Sequence, residues 1–268
     1  MVLKGTAPLS LIDSYNDERT PIADEIIQLS SRNLNFFVSE SYWFFQARKF
    51  GLALLSYLMP YLPTGSGGPT FAMLGLRYYK NSLNREHPTH HYAPTAPASI
   101  GRRAPDDVVY PLAVESSPVR LYNLMDTLGA FQILVFTADR QVQELGLEAA
   151  LFTDVDQRSW LARWPGTGTG ATTGVKASQA SPQFMVYIIS HPGLDATVGD
   201  KNLKKKPGYG KIYLDSKGGD LHRRYGIKSK GGIVVVRPDT HVSYRVESID
   251  KAAWADVDKY FESILCGS

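Results

Sequence analysis

The sequence predicts an α+β fold in two parts, a helical N-terminal region followed by a domain of alternating strands and helices. Three observations carry this. Aromatic and aliphatic residues crowd two stretches before residue 60 with helical punctuation, strand-like apolar runs begin only after Arg120, and the last pair of runs precedes one more amphipathic stretch. The boundary is expected near Asp106, giving parts 1–106 and 107–268. With 268 residues, 43% hydrophobic and 21% charged, the chain can bury one large core or two modest ones, which excludes wholesale disorder.

The first helix is expected from Pro21 to about Asn33. Thr20 offers an N-cap hydroxyl, Pro21 suits the first helical position, and Asp24 and Glu25 favour the positive first turn. A second helix is expected from Ser39 to Leu58, stopped by Pro60 and crowded with Tyr42, Trp43, Phe44, Phe45, Phe50, Leu54, Leu55 and Leu58. It is too apolar for a lone surface helix, so burial against protein or ligand is expected. Glu40, Arg48 and Lys49 leave only Phe50 to Leu62 uninterrupted, short of the roughly 20 residues a bilayer needs, so no membrane span is read. Pro63 to Pro69 is a loop by its breakers.

Phe131–Phe136 and Phe184–Ile189 read as central strands covered on both faces, with a helical pattern from Asp139 to about Trp164 between them. Gly232–Arg237 and His241–Val246 flank Pro238-Asp239-Thr240 as an antiparallel hairpin. Ser248 then offers a cap for a last helix with Val257, Phe261, Ile264 and Leu265 on one face. A βαβ unit followed by ββα is the thioredoxin-like order.

Charge and cysteine usage exclude several classes. A net charge of +3 is too small to imply nucleic acid, so any anionic partner must be met locally. The single cysteine, Cys266, excludes an internal disulfide and a redox Cys pair and fits a reducing compartment. Lys4 and Pro8 interrupt any apolar signal region, so the chain is read as cytoplasmic.

Leu11 to Ala23 reads L-x-D-S-Y-x-x-E-R-x-P-x-A, and Gly101 to Asp106 reads G-x-R-A-P-D. Gly75 to Leu83 carries Arg77-Tyr78 and Ser82-Leu83, near an R-Y-x-x-S-x-L pattern with one residue of extra spacing. These segments, in this order, resemble class A flavin-dependent aromatic hydroxylases, the group containing phenol 2-monooxygenase. Arg120–Leu124, Asp220–Gly226 and Val234–Asp239 look like recurring segments of the thioredoxin-like domain that ends those enzymes, which is used largely for subunit contact. The resemblance implies that a chain starting at Met1 lacks the FAD-binding fingerprints. Where related enzymes often carry an acid before the arginine of the second motif, this chain has Arg102, which makes the loop more cationic.

Redox chemistry in a thioredoxin-like domain would need cysteines after the first central strand, where a helix N-terminus lowers a thiol pKa. Ala138 to Gln143 contains none. The run Gly166 to Gly174 follows Trp164-Pro165 rather than a strand, so a flexible insertion is read over a phosphate cradle, and no cofactor is expected. Lys201–Lys206 reads as a solvated loop or an anion patch, and Asp154 and Asp156 receive no role.

His87-Pro-Thr-His-His91 clusters three imidazoles, open to a solvated loop, acid–base work or metal; no metalloprotease motif fits, because the inverted zincin pattern would need a histidine where Leu83 stands, and His87 and His90 are the preferred catalytic members. Arg77, Tyr78 and Tyr79 can donate hydrogen bonds to a phenolate or enolate oxygen, with Arg102, Arg103 and Asp106 as further polar groups. The plainer alternative is an Arg103–Asp106 ion pair that fixes the loop. Trp43, Phe44 and Tyr57 either line an apolar substrate pocket or serve core and dimer packing.

Two readings follow. One is a flavin-independent cyclase or isomerase acting on an aromatic, polyketide or terpenoid intermediate in secondary metabolism, since orientation and one stabilised oxyanion suffice for such chemistry. The other is a non-catalytic dimerisation or partner subunit, pairing as a homodimer or with a full-length FAD-dependent hydroxylase. The first takes a small-molecule substrate; neither takes nucleic acid.

Overall fold

The computed structural model describes residues 8–38, 41–58, 77–87, 98–111, 117–125, 129–137, 184–191 and 211–265. A 3-10 turn at Leu9–Ile12 leads into α1, Asp13–Val38. This helix begins before the expected Thr20–Pro21 start and carries Pro21 inside it. Asp13 sits in the first turn and complements the helix dipole there, the role expected of Asp24 and Glu25. Helix α2 spans Tyr42–Leu58 and ends before Pro60, as expected. The chain forms two compact units, residues 1–14 with 77–268, and residues 15–76.

The first unit is built on seven strands: β1 Val108–Pro111, β2 Val119–Arg120, β3 Phe131–Phe136, β4 Phe184–Ser190, β5 Lys211–Leu214, β6 Gly232–Val236 and β7 Val242–Val246. Three helices accompany them: α3 Leu121–Leu124, α4 Asp220–Arg224 and α5 Lys251–Leu265. The sheet order is β2-β1-β5-β4-β3-β6-β7. β3 runs parallel to β4 with Phe131 opposite Phe184, and antiparallel to β6 with Leu134 opposite Val234. β6 and β7 form the expected hairpin. The segment β4-β3-β6-β7 with α5 is the thioredoxin-like arrangement. The helix expected at Asp139 to Trp164 and the run Gly166 to Gly174 lie outside the described residues. Strands β1, β2 and β5 extend the sheet beyond what the sequence led us to expect.

Both faces of the sheet are covered, which is why its central strands are apolar without alternation. On one face Phe131, Ile133, Val135, Phe184 and Val235 meet Trp254, Val257, Phe261 and Ile264 of α5. Phe261 lies edge-on to Phe131 and Phe184, with ring centroids 5.4 and 4.7 Å away. Each such pair adds about 0.5–1.5 kcal/mol beyond the area it buries. On the other face Leu134, Phe136, Tyr187, Ile189 and Val234 meet Leu121, Leu221 and Tyr225, together with Ala98, Ile100 and Ala104. The cap of α5 is Asp250 rather than Ser248: its Oδ1 accepts from the Ala253 N–H at 2.8 Å, and a carboxylate at that place satisfies an orphan donor.

A bare edge at β7 would invite pairing with other chains. Residues 77–87 and 98–103 cover it. Gly101 N–H donates to the Val242 carbonyl at 2.7 Å, Val242 N–H to the Arg102 carbonyl at 2.8 Å, and Arg85 N–H to the Ser243 carbonyl at 3.1 Å. The fully buried Arg245 ties the cover down by donating to the Ala98 carbonyl at 3.0 Å and the Tyr225 carbonyl at 2.8 Å.

Candidate functional site

The carboxyl ends of the parallel strands β3, β4 and β5 bring together Thr137, His191, Asp215 and His222. Parallel sheets favour polar sites at such ends, because loops rather than strand partners meet the chain there. The Asp215 side chain is fully buried. Its Oδ1 accepts from Ser216 N–H at 2.6 Å and Leu221 N–H at 3.1 Å; its Oδ2 accepts from His222 N–H at 2.9 Å and lies 2.7 Å from His222 Nδ1. His222 Nε2 faces the Thr137 carbonyl at 3.1 Å, and the His191 ring stands edge-on at 5.3 Å. Burial pushes the Asp215 carboxyl up, but the hydrogen bonds from the His222 ring and from two backbone N–H groups outweigh it and hold the group below the ordinary carboxylate value. Every oxygen and ring nitrogen of this pair is engaged by protein. The pair therefore braces α4 against β3 and β5, and offers no open atom for proton transfer. Sequence reasoning missed it; its one local signal was an aspartate closing an apolar run and followed by Ser-Lys-Gly-Gly-Asp.

The second cluster lies in the segment covering β7. Arg77 and Arg102 oppose each other in an isolated antiparallel bridge, and Arg103 opposes His241 in another. Gly101 between the arginines has φ of +79°, and a Cβ there would come within 2.0 Å of the Tyr78 carbonyl oxygen, so only glycine fits. Tyr78 is buried on the opposite face, with Arg237 over its ring at 5.1 Å and the His241 ring at 4.5 Å. Asp239 anchors this layer through Arg237 at 2.8 Å. Burial raises the Asp239 carboxyl, while His241 and Arg237 lower it further, to a net value of about 2.

The expected site residues separate. Arg77 and Tyr78 are adjacent but face opposite ways, and Tyr79 is exposed. His87 is buried against α5, its Nε2 3.1 Å from Asp256 Oδ2, and its ring lies 6.2 Å from that of Tyr244. His90 lies outside the described residues. The Arg103–Asp106 pair is not what fixes the loop. Arg103 Nε donates to Thr240 Oγ1 at 3.1 Å and its guanidinium lies over Tyr122, whereas Asp106 accepts from Arg120 Nε at 2.7 Å and Tyr122 N–H at 3.0 Å. The carboxylate thus binds the donors at the start of α3, which lie within its reach. Among the described residues no group of three side chains suited to a metal converges.

In the second unit, α2 presents its apolar side chains outward: Trp43 is 80% exposed, Phe50 72% and Tyr57 71%, and Phe44 is exposed as well. Trp43, Ala47, Phe50, Leu54 and Tyr57 recur at alternating spacings of four and three, the pattern of a helix seam that meets another helix. No helix among the described residues is long and apolar enough to cross a membrane.

Residues 76–268 match the family described as phenol hydroxylase, C-terminal dimerisation domain. The flavin-dependent monooxygenase PieE, solved with FAD and substrate, is similar over 100% of this chain and 42% of its own, at 16% identity and a TM-score of 0.55. Aklavinone-11 hydroxylase, solved with FAD and aklavinone, matches 99% of this chain and 37% of its own, at 20% identity and a TM-score of 0.49. The thioredoxin domain of a thiol-disulfide oxidoreductase from Bacteroides vulgatus matches 60% of this chain and 96% of its own, at 16% identity and a TM-score of 0.39. The chain spans less than half the length of either hydroxylase. A comparison with curated protein sequences finds no match.

Proposed function

The chain belongs, through residues 76–268, to the phenol hydroxylase C-terminal dimerisation domain family, and from that membership we propose that it acts as a non-catalytic association module. Its partner is a second copy of itself or an FAD-dependent aromatic hydroxylase. Family membership carries this reading in preference to the flavin-independent cyclase or isomerase. Two features support it. The Asp215–His222 pair is held wholly by protein groups, Tyr78 packs between Arg237 and His241, and His87 faces Asp256. The exposed apolar seam of α2 also needs cover, and apolar surface of that extent marks association sites.

Sedimentation velocity of the full chain tests the proposal. A dimer at micromolar concentration is expected, either alone or on mixing with an intact hydroxylase of the family. A chain that stays monomeric in both cases up to about 100 μM, weaker than a specific protein interface, sinks the proposal.

A further inference from the structure

Two like charges directly opposite each other in an antiparallel pair repel, and natural pairs avoid this unless something stands between them. Arg77 and Arg102 are such a pair. Both are half-buried and their side chains leave the bridge on the same face. Arg77 is held by one hydrogen bond, from Nε to the Ile100 carbonyl at 3.2 Å, which leaves its terminal Nη groups uncommitted. The Nε of Arg102 is buried and has no hydrogen-bond partner. Neither guanidinium forms an ion pair among the described residues. The local sequence offers little to supply one: between residues 41 and 105 there is a single acid, Glu86, against seven lysines and arginines. The nearest following carboxylate, Asp106, is committed to Arg120 and the Tyr122 N–H.

We propose that Arg77 and Arg102 form an oxyanion-binding site that receives a carboxylate or phosphate group between the two guanidiniums. Planar guanidiniums match both groups in bidentate fashion, and the bound anion converts the repulsion of the pair into two attractions. The backbone is prepared for this. Gly101 fixes the bridge against Tyr78, whose ring is clamped from behind by Arg237 and His241, so the two arginines are presented on a rigid strip. The site is independent of the association role and survives or fails separately from it.

Titration calorimetry of the full chain with inorganic phosphate, and separately with acetate, tests the site at low ionic strength. Saturable binding of at least one of the two is expected, and the stronger arm identifies the anion class. Arg77→Gln and Arg102→Gln weaken that binding by about tenfold or more, while Arg223→Gln, at an exposed arginine paired with Asp220, leaves it intact. In phosphate-free buffer Arg102→Gln melts at the same temperature as the parent chain or above it, because a repulsion has been removed. Absence of saturable binding, equal binding by parent and both variants, or a lower melting temperature for Arg102→Gln in phosphate-free buffer overturns the proposal.

Discussion

Asp215 is where a single atom group commits the most structure, since one buried carboxylate holds the start of α4, the His222 ring and the end of β5 together. Asp215→Asn keeps the shape and removes the charge, leaving His222 beside a neutral amide. The loss expected in urea unfolding at neutral pH is about 3–5 kcal/mol, the cost of breaking a buried pair from one side. The carboxyl is held below its unfolded value of 3.8, so its contribution is complete above that value and disappears as pH falls through the lower folded value. The parent chain therefore loses stability on acidification in this window, and the variant shows a flatter acid limb. Gly101→Ala drives a Cβ against the Tyr78 carbonyl at a positive φ, and a loss of at least about 2 kcal/mol is expected in the same measurement. Gly101 stood out in the sequence through its motif. Asp215 did not, because its partners are fixed only when β3 and β5 lie in one sheet.

Continuous apolar runs made β3, β4, β6 and β7 legible, and the amphipathic spacing of Val257, Phe261, Ile264 and Leu265 did the same for α5. Short strands were not legible. β2 has two residues and β1 four, and each is defined by distant pairing, Val109 with Val119 and Tyr110 with Leu214, rather than by its own pattern. The early start of α1 was hidden by Pro21, whose preference for a first helical turn outweighed, on paper, the turn that precedes it. For α2 the sequence marked the apolar residues correctly and left their cover undecided. If the seam mediates self-association, replacing Trp43, Phe50 and Tyr57 together by serine weakens the dimer by at least about a hundredfold in sedimentation equilibrium. Circular dichroism of the variant should retain the signal of the sheet domain, whose core lies in the other compact unit. An unchanged dimer constant removes α2 from the interface.

For the molecule as a whole, element order along the chain pointed to the thioredoxin-like arrangement, and motif order to the family, before any contact was known. What order alone does not give is orientation: Arg77 and Tyr78 are neighbours that serve opposite faces, and His87 turns to α5 rather than joining them. The cover over β7 also has a consequence in time. Gly101 and Arg102 are synthesised well before Val242, the strand residue they pair with. At translation rates of roughly 5–20 residues per second, the groups that meet β7, the N–H of Arg85 and Gly101 and the carbonyl of Arg102, wait on the order of ten seconds for their partners. Arg77, Arg85, Arg102 and Arg103 suit that interval, since charged residues resist pairing with a neighbouring nascent chain until the last strand arrives.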